Sequence, residues 1–200
     1  RSRINDALDR REEMPSVDFK QSAPWSDLRV KIVRTMLGMG NLRDGGLIII
    51  GVAQSGESWE LTGINDEHRR TYNPDVMADF VAKYVSPHCD FSAIQHAYEG
   101  QQYIVIHMKP FAAIPLVCKR SLGADLKTGG IYVRPLEGRP RTTLVQHAAQ
   151  THELLEMAAE ERAREILQQA KRIGLLPGEY EPEASDVEDA RKFANELEDL

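Results

Sequence analysis

Ten basic side chains in two groups are the residues of this chain readiest for chemistry. Arg29, Lys31, Arg34 and Arg43 lie on and just beyond one amphipathic stretch. Lys119, Arg120, Lys127, Arg134, Arg139 and Arg141 fall within 23 positions that hold only two acids, Asp125 and Glu137. Guanidinium and ammonium groups at this density suit phosphate oxygens, which they contact without reading sequence and with an affinity that salt weakens. The alternative is a solvated face that binds nothing. Other chemistries find less support. The six histidines form no metal-ligand spacing, and His147 and His152 are five apart on a helical stretch. Gly45-Gly46 lacks the lysine and Ser/Thr of a phosphate loop, and no Gly-x-Ser-x-Gly or Cys-His arrangement occurs.

The charge is unevenly spread. Residues 1–150 hold 19 Lys and Arg against 17 Asp and Glu, whereas residues 151–200 hold 6 against 14. An acidic tail beside a near-neutral body with basic clusters is compatible with nucleic-acid contact by the body. A hydrophobic content of 42% is enough for a core. Cys89 and Cys118 are too few for a disulfide framework and suit a reducing compartment, and no apolar run approaches the ~20 residues of a membrane span. The expected location is the cytoplasm.

The elements that would position these residues are organised around Asn41 to Val52. Leu47 to Ile50 are four consecutive large aliphatics, the pattern of a strand covered on both faces, with Gly45, Gly46 and Gly51 at its ends. Before it, a polar helix over 1–14 ends at Pro15, a strand over 16–20 alternates Val17 and Phe19 with Asp18 and Lys20, and a helix runs from Ser26 or Asp27 to about Met39. After it come a hairpin around 54–57 that returns along the central strand, a polar loop over 66–73, and a helix opening at Pro74. Strands over 91–98 and 103–108 are joined by Glu99-Gly100, and short strands follow at 114–118 and 131–134. Thr142 or Thr143 is expected to cap a long helix reaching Ile173, with an acidic linker over 179–185 and a weak polar helix or disorder beyond. The expected class is α/β (α+β), a mixed sheet flanked by helices. The expected division is a domain over 1–150 and a helical extension over 151–200.

The order of these parts resembles the Schlafen-type AlbA domain over roughly residues 8 to 150. The carriers are Glu13, Asp18, Phe19 and Lys20, then Asn41 with Gly45-Gly46, Gly51-Val52, Thr62-Gly63, Pro87, Pro115, Tyr132 with Arg134, and Thr142-Thr143 with Ala148. The resemblance implies an α/β fold with a mixed sheet and binding of DNA or RNA. In Schlafen members an acidic cluster cleaves structured RNA with a divalent metal. Carried over, Glu13 and Asp18 become candidate catalytic and metal-ligating residues for Mg²⁺ or Mn²⁺, and Lys20 the lysine that follows them. The family's third carboxylate would fall at Gln54, Asp18 is one methylene shorter than the family's glutamate, and one extra residue precedes the glycine pair. Asp44, Glu57 or Glu60 are candidates to replace the third ligand. Without catalysis no cofactor is expected.

Two readings follow. In the first, the domain binds nucleic acid and acts as a weak or degenerate metal-dependent nuclease in bacterial defence or regulation. In the second, it is a non-catalytic structural module whose 143–173 helix builds a homo-oligomer or docks a partner protein.

Overall fold

Leu47 to Ile50 are buried on both sides because their side chains alternate between two separate cores. The computed structural model describes residues 3–56, 58–135 and 140–175. The expectations attached to Glu57, Glu137, Arg139, the 179–185 linker and the tail beyond it lie outside the described residues.

The chain runs α1 (Arg3–Arg10), β1 (Val17–Lys20), α2 (Trp25–Gly40), β2 (Gly46–Ile50), β3 (Val52–Ser55), β4 (Ser58–Leu61), α3 (Asp66–Arg69) and α4 (Pro74–Tyr84). It continues through β5 (Val85–Ser86), β6 (Phe91–Tyr98), β7 (Gln101–Met108), β8 (Val117–Cys118), β9 (Tyr132–Val133), β10 (Thr143–Leu144) and α5 (Ala148–Arg172). A four-stranded mixed sheet has the order β1-β2-β7-β6. β1 runs parallel to β2, while β7 is antiparallel to both β2 and β6. This is the mixed α+β architecture expected, with β2 in the interior of the sheet.

Ile48 and Ile50 pack with Ile104, Ile106 and Met108 against Ile32, Val33, Met36 and Leu37 of α2 and Met77 and Val81 of α4. Leu47 and Ile49 face the other way, with Val17, Phe19, Tyr103 and Val105 beneath Ala7 and Leu8 of α1. Each buried Val, Leu, Ile, Phe or Met among them contributes about 1.5–3 kcal/mol when removed from water. The register of β1 on β2 pairs Asp18 with Ile48 and Lys20 with Ile50, so both polar side chains of β1 lie on the α2 face. That register positions the site.

Several boundaries differ from expectation, each for a local reason. α1 ends at Arg10, ahead of Pro15, where Arg11 adopts φ 50°. α2 begins at Trp25 with no side-chain cap from Ser26 or Asp27, and the Trp25 N–H donates to Thr71 Oγ1 at 2.8 Å. The 54–57 hairpin forms between β3 and β4 as its own ribbon and does not pair with β2. Gly51, at φ 113°, turns the chain out of the sheet, and a Cβ there would lie 2.8 Å from the Gly63 carbonyl carbon. Part of the 66–73 loop is the single helical turn α3.

The 114–118 strand shrinks to β8, paired with β5, because Asn41 takes the backbone groups of Leu116. Thr143 and Leu144 do not begin a helix. They pair with β9 as β10, and α5 starts at Ala148, where the Gln150 side chain accepts from the N–H groups of Gln146 and His147. Leu154 and Met157 seat its first turns in the larger core. Leu155, Ile166, Leu167 and Ile173 are exposed. Two compact units, Arg1–Ala159 and Glu160–Leu200, divide within α5. Among the described residues no helix is long and apolar enough to cross a membrane.

Asn41, at the end of α2, is buried and fully engaged. Its amide nitrogen donates to the carbonyls of Leu116 (3.0 Å) and Tyr132 (2.9 Å), and its Oδ1 accepts from Leu116 N–H at 2.7 Å. It thus ties the strand entry to β8 and β9. Asn41→Ala is expected to cost about 3 kcal/mol, because buried backbone groups lose their partners. Asn41→Asp is expected to be no better, since a carboxylate would face two carbonyls. Urea midpoints of the two variants check this, and a near-wild-type Asn41→Asp would contradict it.

Candidate functional site

Asp18 is 5% exposed, yet it is ionisable, so the surroundings must supply its counter-charge. Arg134 Nη1 donates to its Oδ1 at 3.1 Å, and Lys20 Nζ pairs with its Oδ2. Arg134 is itself 2% exposed and also donates to the Met14 carbonyl (3.3 Å) and to Thr142 Oγ1 (3.3 Å). Its Nε has no partner. Thr142, expected as a helix cap, is instead a buried acceptor, whose carbonyl also takes Arg34 Nη2 at 2.8 Å. Gly38 makes room for this arrangement: a Cβ there would sit 2.8 Å from Thr142 Cγ2 and 3.1 Å from Arg134 Cγ. α2, β1 and the segment between β9 and β10 therefore meet at one ion pair.

Glu13 lies beside it. The Phe19 N–H donates to Glu13 Oε1 at 3.0 Å. Burial, then the charge of Asp18, push the Glu13 carboxyl above its ordinary range, against that hydrogen bond and the charges of Lys20 and Arg134.

These groups form one end of an open cleft of about 540 Å³. Its described walls carry five cationic side chains, Lys20, Lys31, Arg34, Arg134 and Arg141, against three carboxylates, Glu13, Asp18 and Asp125. Arg34 is half-exposed and pairs with Asp125 at 3.0 Å, while Lys31 and Arg141 are exposed. Gln54 and Trp59 of the β3–β4 ribbon complete the cleft with Phe19, Thr35 and Pro140.

The donor set does not fit a divalent cation. Such an ion needs carboxylate oxygens open to it, and each oxygen of Asp18 already holds a cation. Glu13 gives its Oε1 to a backbone N–H, and Gln54 is neutral and donates to the Gly56 carbonyl at 3.2 Å. Asp44 lines a different cavity, with Arg43, Leu42 and Pro15. Glu60 alternates away from the cleft, one residue past Trp59 on β4. Among the described residues no three His, Cys, Asp or Glu side chains group as a metal site requires.

The basic groups sort differently from their order in the chain. Arg34 and Arg141 reach the cleft as phosphate-contacting candidates, together with Lys20 and Lys31. Arg134 reaches it too, but the expectation of an exposed phosphate contact is corrected: its guanidinium is buried and committed to Asp18. Arg29 stacks over Phe80, 4.8 Å from the ring centroid, and does not line the cleft. Lys119 donates to the Ala82 carbonyl and lines a different cavity, with Val81, Val85 and Phe91, and the exposed Arg43, Arg120 and Lys127 do not line the cleft. Trp59 was not expected in the site. The sequence marks it only as the start of the strand that follows the 54–57 turn.

A model of the Schlafen, AlbA_2 family matches residues 13–138. No curated protein matches the chain. Among solved structures, the DIP2311 protein of Corynebacterium diphtheriae is 16% identical with a TM-score of 0.47, and the match covers 70% of this chain and 23% of that one. The chain thus spans about a quarter of that protein. The N-terminal domain of a RecG-related protein from Nitrosomonas europaea is 17% identical with a TM-score of 0.46, over 72% of this chain and 92% of that one.

Two outcomes test the ion pair. Arg134→Met is expected to destabilise by about 3–5 kcal/mol, because Asp18 is left buried beside a single lysine. The double variant Asp18→Asn/Arg134→Met is expected to cost less than the sum of the two single changes in urea denaturation, and additivity would contradict the pairing. For Glu13 the sign runs the other way. A carboxyl raised in the folded state destabilises above its unfolded pKa, and this cost fades as pH falls through the folded value. Glu13→Gln is therefore expected to raise Tm near neutral pH and to lose that advantage by about pH 4. An unchanged or lowered Tm at neutral pH would refute it.

Proposed function

The chain belongs to the Schlafen, AlbA_2 family, and from that premise we propose that it binds nucleic acid in the cleft between β1, α2 and the β3–β4 ribbon, holding the phosphate backbone without metal-dependent cleavage. The observation that carries this reading is the convergence of Lys31, Arg34 and Arg141, from α2 and from a segment more than a hundred residues later, on the same cleft as Lys20. Family members bind nucleic acid, and this is the described surface where cationic side chains from distant parts of the chain meet in a concave site.

The physical logic separates binding from hydrolysis. Hydrolysis by a metal nuclease needs a cation to stabilise charge on the phosphate and to lower the pKa of an attacking water. Here the two carboxylates positioned for that work serve other ends: Asp18 anchors Arg134 and Lys20, and Glu13 holds the β1 backbone. What remains on the cleft wall is positive charge, which suits phosphate directly. The acid-to-amide change at Gln54 acts in the same direction, since it removes a negative charge that would repel the strand.

A fluorescence-anisotropy titration with labelled RNA and DNA, in EDTA and over a range of salt, tests this. Binding is expected in EDTA and is expected to weaken with salt. Arg34→Gln and Arg141→Gln are each expected to lower the slope of log affinity against log salt by about 0.7–0.9, as the loss of one phosphate contact predicts. Lys119→Gln, distant from the cleft, is expected to leave that slope unchanged. Cleavage that requires Mg²⁺ or Mn²⁺ and disappears in Glu13→Gln would overturn the non-hydrolytic reading. Binding insensitive to both cleft arginines would overturn the location.

A further inference from the structure

The cleft carries a feature that phosphate contact does not explain: an aromatic ring and an amide side by side on its wall. β3 and β4 pair antiparallel with Gln54 directly opposite Trp59. Directly opposed residues share one face of a ribbon, and both of these line the cleft. The inner end of the same face, Val52 and Leu61, packs into the smaller core. The ribbon is therefore anchored at its base and presents Trp59 and Gln54 near its tip. Trp59 is held from beneath by Phe19, ring centroids 5.3 Å apart and planes inclined by 60°. Phe19 is 2% exposed on β1, in the residue between Asp18 and Lys20. Trp59 itself is only half-buried.

We infer that Trp59 and Gln54 form a nucleobase subsite, so that the ligand of the cleft is a strand with unpaired bases. This rests on the reading of the cleft as a nucleic-acid site and assigns its substrate class. A half-exposed indole at the edge of a cationic groove offers a flat surface on which a base can stack, provided the base is not already stacked in a duplex. A carboxamide donates and accepts at once, matching the edges of bases. Lys31, Arg34 and Arg141, which line the same cleft, would then hold the phosphates that flank the stacked base. The inclined Phe19 ring keeps the indole from turning away, so little ordering is left to the moment of binding. Gln54 acquires a role here: a neutral amide is suited to a base edge where a carboxylate would be suited to a metal.

The test compares three probes on the full chain in EDTA: an oligothymidylate of about ten nucleotides, an abasic strand of the same length, and a duplex of the same length. The oligothymidylate is expected to bind about tenfold more tightly than the abasic strand or the duplex, the increment of one stacked base. It is also expected to quench tryptophan emission. Trp25 is buried in the larger core, packed on Tyr72 and Phe80, so the quenching reports Trp59. Trp59→Ala is expected to bring oligothymidylate down to the abasic affinity, and Trp59→Phe to keep most of the preference. Should Trp59→Ala lose its fold, the three probes on the unaltered chain decide alone.

Equal affinity for oligothymidylate and the abasic strand, without quenching, overturns the base subsite. If Arg34→Gln still weakens both, the cleft stands as a phosphate groove and only this inference falls. If none of the three probes binds, and labelled RNA does not bind either, the nucleic-acid reading falls with it.

Discussion

A buried aspartate held between an arginine and a lysine is the interaction on which the rest of the site depends. Asp18 sits on an edge strand that would otherwise have no reason to engage the segment beyond β9. Its ion pair with Arg134 draws that segment against β1 and α2, and Thr142 follows because the same guanidinium donates to it. Arg34 closes the arrangement from α2 through the Thr142 carbonyl. A buried pair of this kind contributes little net stability against an apolar replacement, because desolvation offsets attraction. Its consequence is positional. It sets the floor of the cleft and determines which charges remain for a ligand.

The same interaction decides between two chemistries that use similar residues. Carboxylates near phosphate-binding cations are the raw material of a metal nuclease, and Glu13 and Asp18 lie near each other as that chemistry would want. The difference is occupancy. An aspartate with a cation on each oxygen presents little negative potential to an incoming divalent ion, and a glutamate whose burial favours its neutral form presents less still. A cleft built this way favours anions. The sheet supplies the rigidity: β2, buried on both faces, holds β1 in register, so that Asp18 and Lys20 point to the α2 side while Phe19 points to the opposite core and carries Trp59.

What was legible in the residues was what short-range patterning controls. The unbroken aliphatics of β2, the Glu99-Gly100 turn between β6 and β7, and the Pro74 start of α4 are local signals, and each marked its element. Boundaries failed where a distant partner took over. Thr143 and Leu144 look like a helix start, but Tyr132 and Val133 offer them a strand partner. Ile114 to Cys118 looks like a longer strand, but Asn41, 75 residues earlier, claims Leu116. The site shows the same division. That Glu13, Asp18 and Lys20 belong together is what the family resemblance implies. That Arg134 is a buried partner of Asp18 does not, because 116 residues separate them and an arginine in a basic stretch reads as exposed. Trp59 was hidden for a different reason. An aromatic in a hairpin is ordinary, and only the packing of the ribbon on Phe19 places it at the cleft.

The most direct test of the account follows the side-chain N–H resonances of Arg34 and the indole N–H of Trp59 by ¹H–¹⁵N spectroscopy while a single strand is added in EDTA. Both resonances are expected to shift together and saturably without metal. Resonances that stay fixed in EDTA and move only when Mg²⁺ is supplied would contradict it, because the cleft would then be organised by a cation and not by the ion pair of Asp18.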